Sequence, residues 1–149
     1  MPALATNFTL TFPKPENDDP IMNFTGLDGL SLSMAGDELY AGGDNESPHY
    51  LPTRMEYKPL VLSRLISDNT AAVCEWVIKN MKNPEPRTAR ICIFEHEPNK
   101  PTFEIEFHDL VPVAWRGPRL TSDGLSVASE EIEFVHRGFK FVPRKQKID

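Results

Sequence analysis

The fold is decided by the stretch from Thr102 to Val111, which reads Thr-Phe-Glu-Ile-Glu-Phe-His-Asp-Leu-Val. Apolar side chains at 103, 105 and 107 alternate with Glu104, Glu106 and His108. Successive residues of a strand point to opposite faces of a sheet, so this alternation predicts a strand with one buried and one polar face. We therefore expect a sheet that covers a core on one side.

Similar alternation or short apolar runs predict strands on both sides of this one. The further strand segments are 7–12, 55–65, 88–94, 127–135 and 138–142. Gly26 and Gly29 interrupt the apolar residues between 21 and 32, which indicates two short strands or one bent strand. Pro112 is expected to end the strand that precedes it. A bulge at Arg137-Gly138 could join the last two segments into one long strand.

One helix is predicted between these strands. Polar residues able to cap it occupy 67–70, and the residue before Pro84 is expected to end it. Apolar residues with helical spacing lie between them, at Val73, Trp76, Val77 and Met81. This single stripe is typical of a helix packed on one face, so Trp76 is expected in the core. The sum is about seven strands and one helix, mostly antiparallel, in a single domain spanning 1–149.

Composition excludes several classes of protein. The chain has 149 residues, 16 Lys+Arg, 22 Asp+Glu and a formal net charge of -6. It lacks the basic stripe of a nucleic-acid binder and any apolar run of the ~20 residues that span a membrane. The first residues lack the features of a secretory signal. Two cysteines, Cys74 and Cys92, do not form a disulfide framework, which favours an intracellular protein with free thiols.

Candidates for catalysis are few. Glu104, Glu106 and His108 share one strand face and could in principle hold a metal, but the favoured interpretation is the polar side of an amphipathic strand. Cys74 lies beside Glu75, which does not favour a reactive thiolate. No metalloprotease, hydrolase, phosphate-loop or paired-cysteine motif is present in the sequence. We therefore expect no enzyme activity, no metal and no cofactor.

The segment between 34 and 52 is predicted to be a long loop. It carries Gly42, Gly43, Asp44, Asn45 and Glu46 and shows no core periodicity. A loop of this length is usually functional or disordered. All of the chain's acidic excess falls in the first 60 residues, which hold nine acids and three bases. We expect this loop to reach a neighbouring subunit or ring.

The predicted strands leave sheet edges that assembly of several copies could cover. Several amphipathic strands and one short helix leave sheet edges that nothing in the chain covers. Exposed edges are a liability unless they are paired or blunted. A ring of identical subunits can pair them and close the sheets into a shared barrel.

The order of these segments resembles the tail tube protein family of contractile phage tails and related contractile injection systems. The strongest similarity is Val127 to Gly138, with Ala, Glu, an apolar residue, His and Gly in the family's order. Trp76 lies where the family helix carries its Trp. Further similarity is found in segments 7–12, 24–27, 40–45, 50–52, 60–64 and 90–94.

The resemblance implies a mainly β (α+β) fold, with two antiparallel sheets packed as a sandwich or barrel and one flanking α-helix. It implies hexameric rings that stack into a hollow tube inside a contractile sheath, with baseplate and tail-terminator proteins as further partners. The family has no catalytic residues to transfer. Glu104, Glu106 and His108 become candidates for a lumen or subunit-interface face. Assembly would take place in the bacterial cytoplasm, as part of a virion tail or injection particle.

Three alternatives stay open from the sequence. The chain could be a baseplate-proximal tube-initiator paralogue of the same family. It could be a monomeric β-barrel that holds a small apolar ligand. A hydrolase or metal enzyme is the third, although no motif of known spacing supports it.

Overall fold

The structure is a computed structural model that describes residues 7–39, 49–94, 103–118, 120, 122 and 128–143. Within these ranges the chain forms ten strands and one helix. In chain order they are β1 (Asn7–Thr11), β2 (Met22–Phe24), β3 (Gly26–Asp28), β4 (Leu32–Leu39), β5 (His49–Tyr57), β6 (Leu60–Leu65), α1 (Thr70–Lys82), β7 (Arg87–Phe94), β8 (Phe103–Arg116), β9 (Ser129–Val135) and β10 (Phe139–Val142).

Strand β8 belongs to two sheets. Its first half pairs with β7 on one side and β10 on the other, and its second half pairs with β9. One sheet therefore runs β2-β1-β7-β8-β10, and the other runs β8-β9-β6-β3. All of these pairings are antiparallel. The predicted architecture of two packed antiparallel sheets with one helix is confirmed.

The prediction that Pro112 ends this strand was wrong. Strand β8 continues to Arg116, and its pairing with β9 shifts register between Pro112 and Ala114. Proline has no N–H to donate, and such an irregularity is one of the places where a sheet tolerates it. Asp109 has a φ of 53°, just before β8 changes its partner from β7 to β9. The strand thus bends from one sheet into the other.

Strands β2 and β3 join the far edges of the two sheets. Met22–Phe24 pairs with β1, whereas Gly26–Asp28 pairs with β6. Between them the Thr25 N–H donates to the Ser63 carbonyl at 3.0 Å. One bent segment therefore crosses from sheet to sheet and closes the barrel, as the interrupting glycine suggested.

The two predicted final strands are present and separate, so the alternative of one long bulged strand was wrong. Strand β9 pairs with the second half of β8 and with β6, whereas β10 pairs with the first half of β8. The chain turns between them at Arg137 and Gly138, and Gly138 has a φ of 147°. Because β9 and β10 pair with different halves of β8, and so belong to different sheets, the chain must turn between them.

The core lies between the two sheets and under helix α1. The largest of its fully buried apolar side chains are Met22, Phe24, Leu60, Leu62, Ile91, Ile105, Phe107, Ile132 and Phe134. Trp76 is 5% exposed, and its ring centroid lies 5.8 Å from that of Phe12 and 6.4 Å from that of Phe134. The predicted core position of Trp76 is confirmed. In the described part of the chain, no helix is long and apolar enough to span a membrane.

The predicted loop between 34 and 52 is largely a paired ribbon, so that prediction was wrong for its described residues. Strands β4 and β5, called the arm from here on, pair with each other. Asp28 pairs with Val61 and Leu32 with Tyr57, so the arm keeps the register of the β3–β6 pair. Cross-strand hydrogen bonds order the backbone there without a core-facing pattern, which is why periodicity missed it.

Candidate assembly surfaces

Glu104, Glu106 and His108 lie together on the polar face of the first sheet, as predicted. Arg90 Nε is 3.0 Å from Glu106 Oε2, and Arg90 Nη1 is 3.7 Å from Glu104 Oε2. Lys140 Nζ lies 3.8 Å from the other Glu106 oxygen. Cations from β7 and β10 therefore flank both glutamates. The face is a ladder of paired charges, and it does not gather these three side chains as metal ligands.

A second group of acidic residues is likewise paired with basic side chains. Among the described residues, Glu16, Asp18 and Asp19 are the acids whose oxygens come close enough together to share a metal ion. Lys79, however, pairs with Asp18. Arg87 donates to both Asp19 oxygens at 2.8 Å. Burial acts to raise the pKa of the Asp19 carboxyl, but the hydrogen bonds and charge of Arg87, together with hydrogen bonds from the Glu16 backbone and Trp76, lower that pKa overall.

The thiol of Cys92 is buried and adjacent to an acid. Burial raises the pKa of this thiol, and the nearby Glu104 raises it further. Cys92 Sγ lies 3.7 Å from Glu104 Oε1, so the protonated thiol donates to the carboxylate. A protonated thiol is a poor nucleophile, and this cysteine is structural.

Sequence reasoning missed a buried ion pair at the end of the second sheet. Arg64 Nε lies 2.7 Å from Glu130 Oε1, and their side chains are 7% and 0% exposed. The two residues face each other across β6 and β9. The sequence does carry a signal for their burial. Arg64 lies two residues after buried Leu62, and Glu130 lies two residues before buried Ile132, so each shares a strand face with a core residue. Extending the alternation to the ends of β6 and β9 predicts that both charged side chains face the core.

At its base the arm contacts the barrel through Tyr57. The Tyr57 ring centroid lies 5.5 Å from that of His136 and 5.7 Å from that of Phe139. Beyond Tyr57, the same face of the arm carries Leu32, Met34 and Met55, which are 55%, 60% and 49% exposed. We call these three side chains the arm face. Apolar side chains that are grouped and exposed in this way are typical of interaction surfaces.

The predicted inter-subunit residues Gly42, Gly43, Asp44, Asn45 and Glu46 lie outside the described residues. They belong to the segment that connects β4 to β5 in sequence. The structure therefore describes the arm that carries this segment.

Solved structures share this fold at low sequence identity. A chain of the anti-feeding prophage baseplate has 17% identity and a TM-score of 0.74, covering 95% of this chain and 96% of that chain. A chain of an extracellular contractile injection system, the PVC sheath-tube complex in its extended state, has 14% identity and a TM-score of 0.76, covering 95% and 91%. Hcp1 from Salmonella typhimurium has 11% identity and a TM-score of 0.58, covering 93% and 86%.

Sequence comparison gives the family directly. No curated protein matches the chain. The family of the T4-like virus tail tube protein gp19 matches residues 4–140, which includes both sheets, the helix and the arm. This family consists of structural tube proteins, so the role of the chain is structural rather than catalytic. The chain belongs to the T4-like virus tail tube protein gp19 family.

Proposed function

We propose that this chain is the repeating subunit of an inner tube. Six copies close into a ring, rings stack into a hollow tube, and a contractile sheath surrounds that tube. The single observation that carries the proposal is the arm face, whose three apolar side chains are exposed in the single subunit. A second copy of the chain is the occupant that covers it, because tail tube proteins build a repeating structure from one chain.

The remaining partners follow from the structures that share the fold. These are described as a baseplate, a sheath-tube complex, a tube-terminating cap and a sheath/tube terminator. We infer that this chain meets the corresponding proteins of its own particle, which is a phage tail or an injection device assembled in the bacterial cytoplasm. The whole chain, 1–149, acts as one tail-tube domain in that particle.

Two surfaces have separate roles in this proposal. The segment with Gly42, Gly43, Asp44, Asn45 and Glu46, together with the arm, contacts a neighbouring subunit or ring. The charge ladder with Glu104, Glu106 and His108 lines the lumen or a subunit interface. Its acids are already paired with Arg90 and Lys140. The ladder therefore presents a nearly neutral polar surface, along which charged cargo would pass without strong attachment.

A monomeric ligand-binding barrel is disfavoured by the filled interior. Phe24, Phe107 and Phe134 occupy the space between the sheets and are at most 1% exposed. The described cavities are lined by residues at the surface, such as Lys14 in one and Ile78 in another. The barrel therefore offers no internal pocket among these described cavities.

Negative-stain microscopy of the purified protein tests the proposal. The expected result is six-fold rings or stacked tubes. Met34→Lys places a charge on the arm face, and we expect it to leave a folded subunit that forms neither. Ser33→Lys is the matched control because Ser33 lies on the opposite face of the same strand, across from Glu56.

The paired variants separate the possible outcomes. Rings from Ser33→Lys but not from Met34→Lys support burial of the arm face in a neighbour. A wild-type protein that stays monomeric at high concentration contradicts the tube. Rings that never stack into tubes, even with the wild-type chain, favour the baseplate-proximal paralogue over the repeating subunit.

A further inference from the structure

The backbone pairing between barrel and arm is interrupted at the base of the arm. Residues 29–31 on one strand and 58–59 on the other lie outside the strands. Gly29 has a φ of 100° there, and a Cβ at this position would lie 2.0 Å from the Pro59 carbonyl oxygen. Proline also lacks the N–H that would continue the ladder. The arm is thus joined to the barrel through a gap in its hydrogen bonds, and its angle depends on side-chain contacts.

Those contacts form one small cluster, called the latch from here on: Tyr57, His136, Gly138 and Phe139. Tyr57 is the last residue of β5 and is the residue that the arm contributes to the latch. Its hydroxyl oxygen would lie 3.2 Å from a Cβ at Gly138, so any larger residue there would push the ring away. The absence of a side chain at this turn creates the space in which the arm is seated.

His136 is central to the latch and is half-buried. Its ring centroid lies 5.0 Å from that of Phe107, nearly perpendicular to it, and 6.1 Å from that of Phe139. The Gly138 N–H donates to His136 Nδ1 at 3.1 Å. A neutral imidazole has one acceptor and one donor nitrogen, so the proton of this ring is on Nε2. That nitrogen is buried, and no hydrogen bond to it is formed within the part of the chain that the structure describes.

Protonation would therefore disrupt this arrangement in two ways. Nδ1 cannot take a proton and still accept from Gly138, and the resulting cation would lie among aromatic rings with little solvation. Burial lowers the pKa of His136 below its ordinary 6.5, although the backbone groups of Lys58 and Gly138 act in the opposite direction. The neutral ring fits the closed latch, and the charged ring does not.

Charged groups on the surrounding elements do not compensate for this. Strand β8 carries His108 and Asp109 beside the latch, and the turn before β10 carries Arg137. Asp109 is 3.8 Å from Arg137, and both side chains are largely exposed. Lys58, on the arm's side, is exposed as well. No carboxylate of the described residues makes a hydrogen bond or ion pair with the His136 ring.

We propose that His136 makes the seating of the arm acid-sensitive, with a neutral ring holding Tyr57 and the arm in place and a protonated ring releasing them. The sign follows from the depressed pKa, because the released state binds the proton more tightly. Docking is fully present above about pH 6.5, the ordinary pKa, and weakens as the pH falls below it. Each pKa unit between the two states changes the docking equilibrium about tenfold.

The consequence for assembly rests on the proposed function. If the arm joins one subunit to another, its release in acid loosens the ring or tube at that junction. The docking step itself is intramolecular, so it can be measured whether or not tubes form.

Hydrogen exchange on the full-length protein tests the latch directly. Protection factors, which are corrected for the intrinsic pH dependence of exchange, are measured for 54–57 and 136–139 from about pH 7.5 to about pH 5. We expect a selective loss of protection in both segments, with the barrel strands β7 and β8 unaffected. Light scattering of the same samples reports assembly separately, so a monomer at every pH would contradict the tube and still leave the latch testable.

Two variants make the result specific. His136→Asn keeps an acceptor for the Gly138 N–H but does not titrate, and we expect its protection to be independent of pH over this range. His108→Asn removes the exposed histidine of β8 and should retain the wild-type pH dependence. Equal pH dependence in wild type and His136→Asn would overturn the proposal.

A measurement on the unaltered chain covers the case in which His136→Asn does not fold. The imidazole resonances of His136 in the wild-type protein are followed by NMR across the same pH range. The proposal requires a pKa below 6.5 and a shift in the Tyr57 ring resonances with the same midpoint. An imidazole that titrates at 6.5 or above, or Tyr57 resonances that do not respond, would contradict the latch.

Discussion

The barrel and the arm are built from the same kind of strand but differ in what completes them. In the barrel, Ile105 and Phe107 of β8 are buried under partners from the same chain. In the arm, Met34 and Met55 pair across two strands and stay exposed on one face. An isolated two-stranded ribbon is only marginally stable in water. The core of the barrel is therefore covered within one chain, whereas the arm face stays exposed in the single subunit and, under the proposed function, is covered by a second copy.

This comparison divides substitutions into two classes. A change inside the barrel should lower the free energy of unfolding of the subunit, and assembly should fail only because folding fails. A change on the arm should leave that free energy nearly unaltered and still abolish assembly. Each of the following predictions tests one side of this division.

The largest effect is expected from Trp76→Ala. The substitution removes a buried indole that contacts Phe12 and Phe134 and donates to Asp19 at 3.3 Å. Truncating a buried Trp typically costs about 3–5 kcal/mol of stability. Urea unfolding followed by circular dichroism measures it. A loss below about 1 kcal/mol would contradict the placement of the helix on the barrel.

The buried ion pair gives a prediction of similar or slightly smaller size. Arg64→Met leaves Glu130 as an unpaired buried charge, which costs about 3–5 kcal/mol. Arg64→Met with Glu130→Leu removes both charges, and we expect it to regain most of that loss because apolar pairs replace buried ion pairs well. A double variant that stays about 3–5 kcal/mol less stable than the wild type would show that the pair itself stabilises the barrel.

The control for this pair lies on the exposed face of the same barrel. Arg116 lies 2.8 Å from Glu131 at the neighbouring positions of β8 and β9, and both side chains are partly exposed. Surface ion pairs contribute about 0–1 kcal/mol. Arg116→Met should therefore change the urea midpoint only slightly, which separates the effect of burial from the effect of charge.

The barrel could be predicted well from the sequence, because its burial repeats with the period of a strand or helix. The alternation at 103–108 and the stripe around Trp76 each encode which side faces the core. The burial of Arg64 and Glu130 was not predicted, although both residues follow the same alternation. Charged side chains are rarely buried unless they are paired, and the pairing of these two depends on the register of β6 with β9. The division of β8 between two sheets was not predictable, since it depends on which half of β8 pairs with β9 and which half pairs with β10.

The arm could not be predicted in the same way, and the reason is physical. Apolar and polar residues alternate only at its base, at 32–34 and 55–57, and residues 35–39 and 49–53 show no such alternation. The latch is likewise a product of tertiary contact: Tyr57 and His136 are distant in sequence and meet only when the barrel closes. The candidates in the connecting segment were chosen for length, glycine and charge, and they stay predictions.

The smallest effect on the subunit is expected from deleting residues 42–47, between β4 and β5. Tyr40, Ala41 and Pro48 would still connect the two strands, and loops of three residues are common in hairpins. Shortening a loop by this amount changes its closure free energy by only about 1 kcal/mol. We therefore expect nearly wild-type urea unfolding together with loss of rings and tubes in negative-stain images.

A variant of equal length distinguishes the effect of the segment's length from the effect of its side chains. Replacing residues 42–47 with a Gly-Ser linker of the same length keeps the span of the segment and removes Asp44, Asn45 and Glu46. If the acidic and amide side chains contact the neighbour, this variant should also fail to assemble. If only reach matters, it should form tubes where the deletion does not. Normal tubes from the deletion itself would mean that the connecting segment has no part in assembly and that the arm face joins the subunits alone.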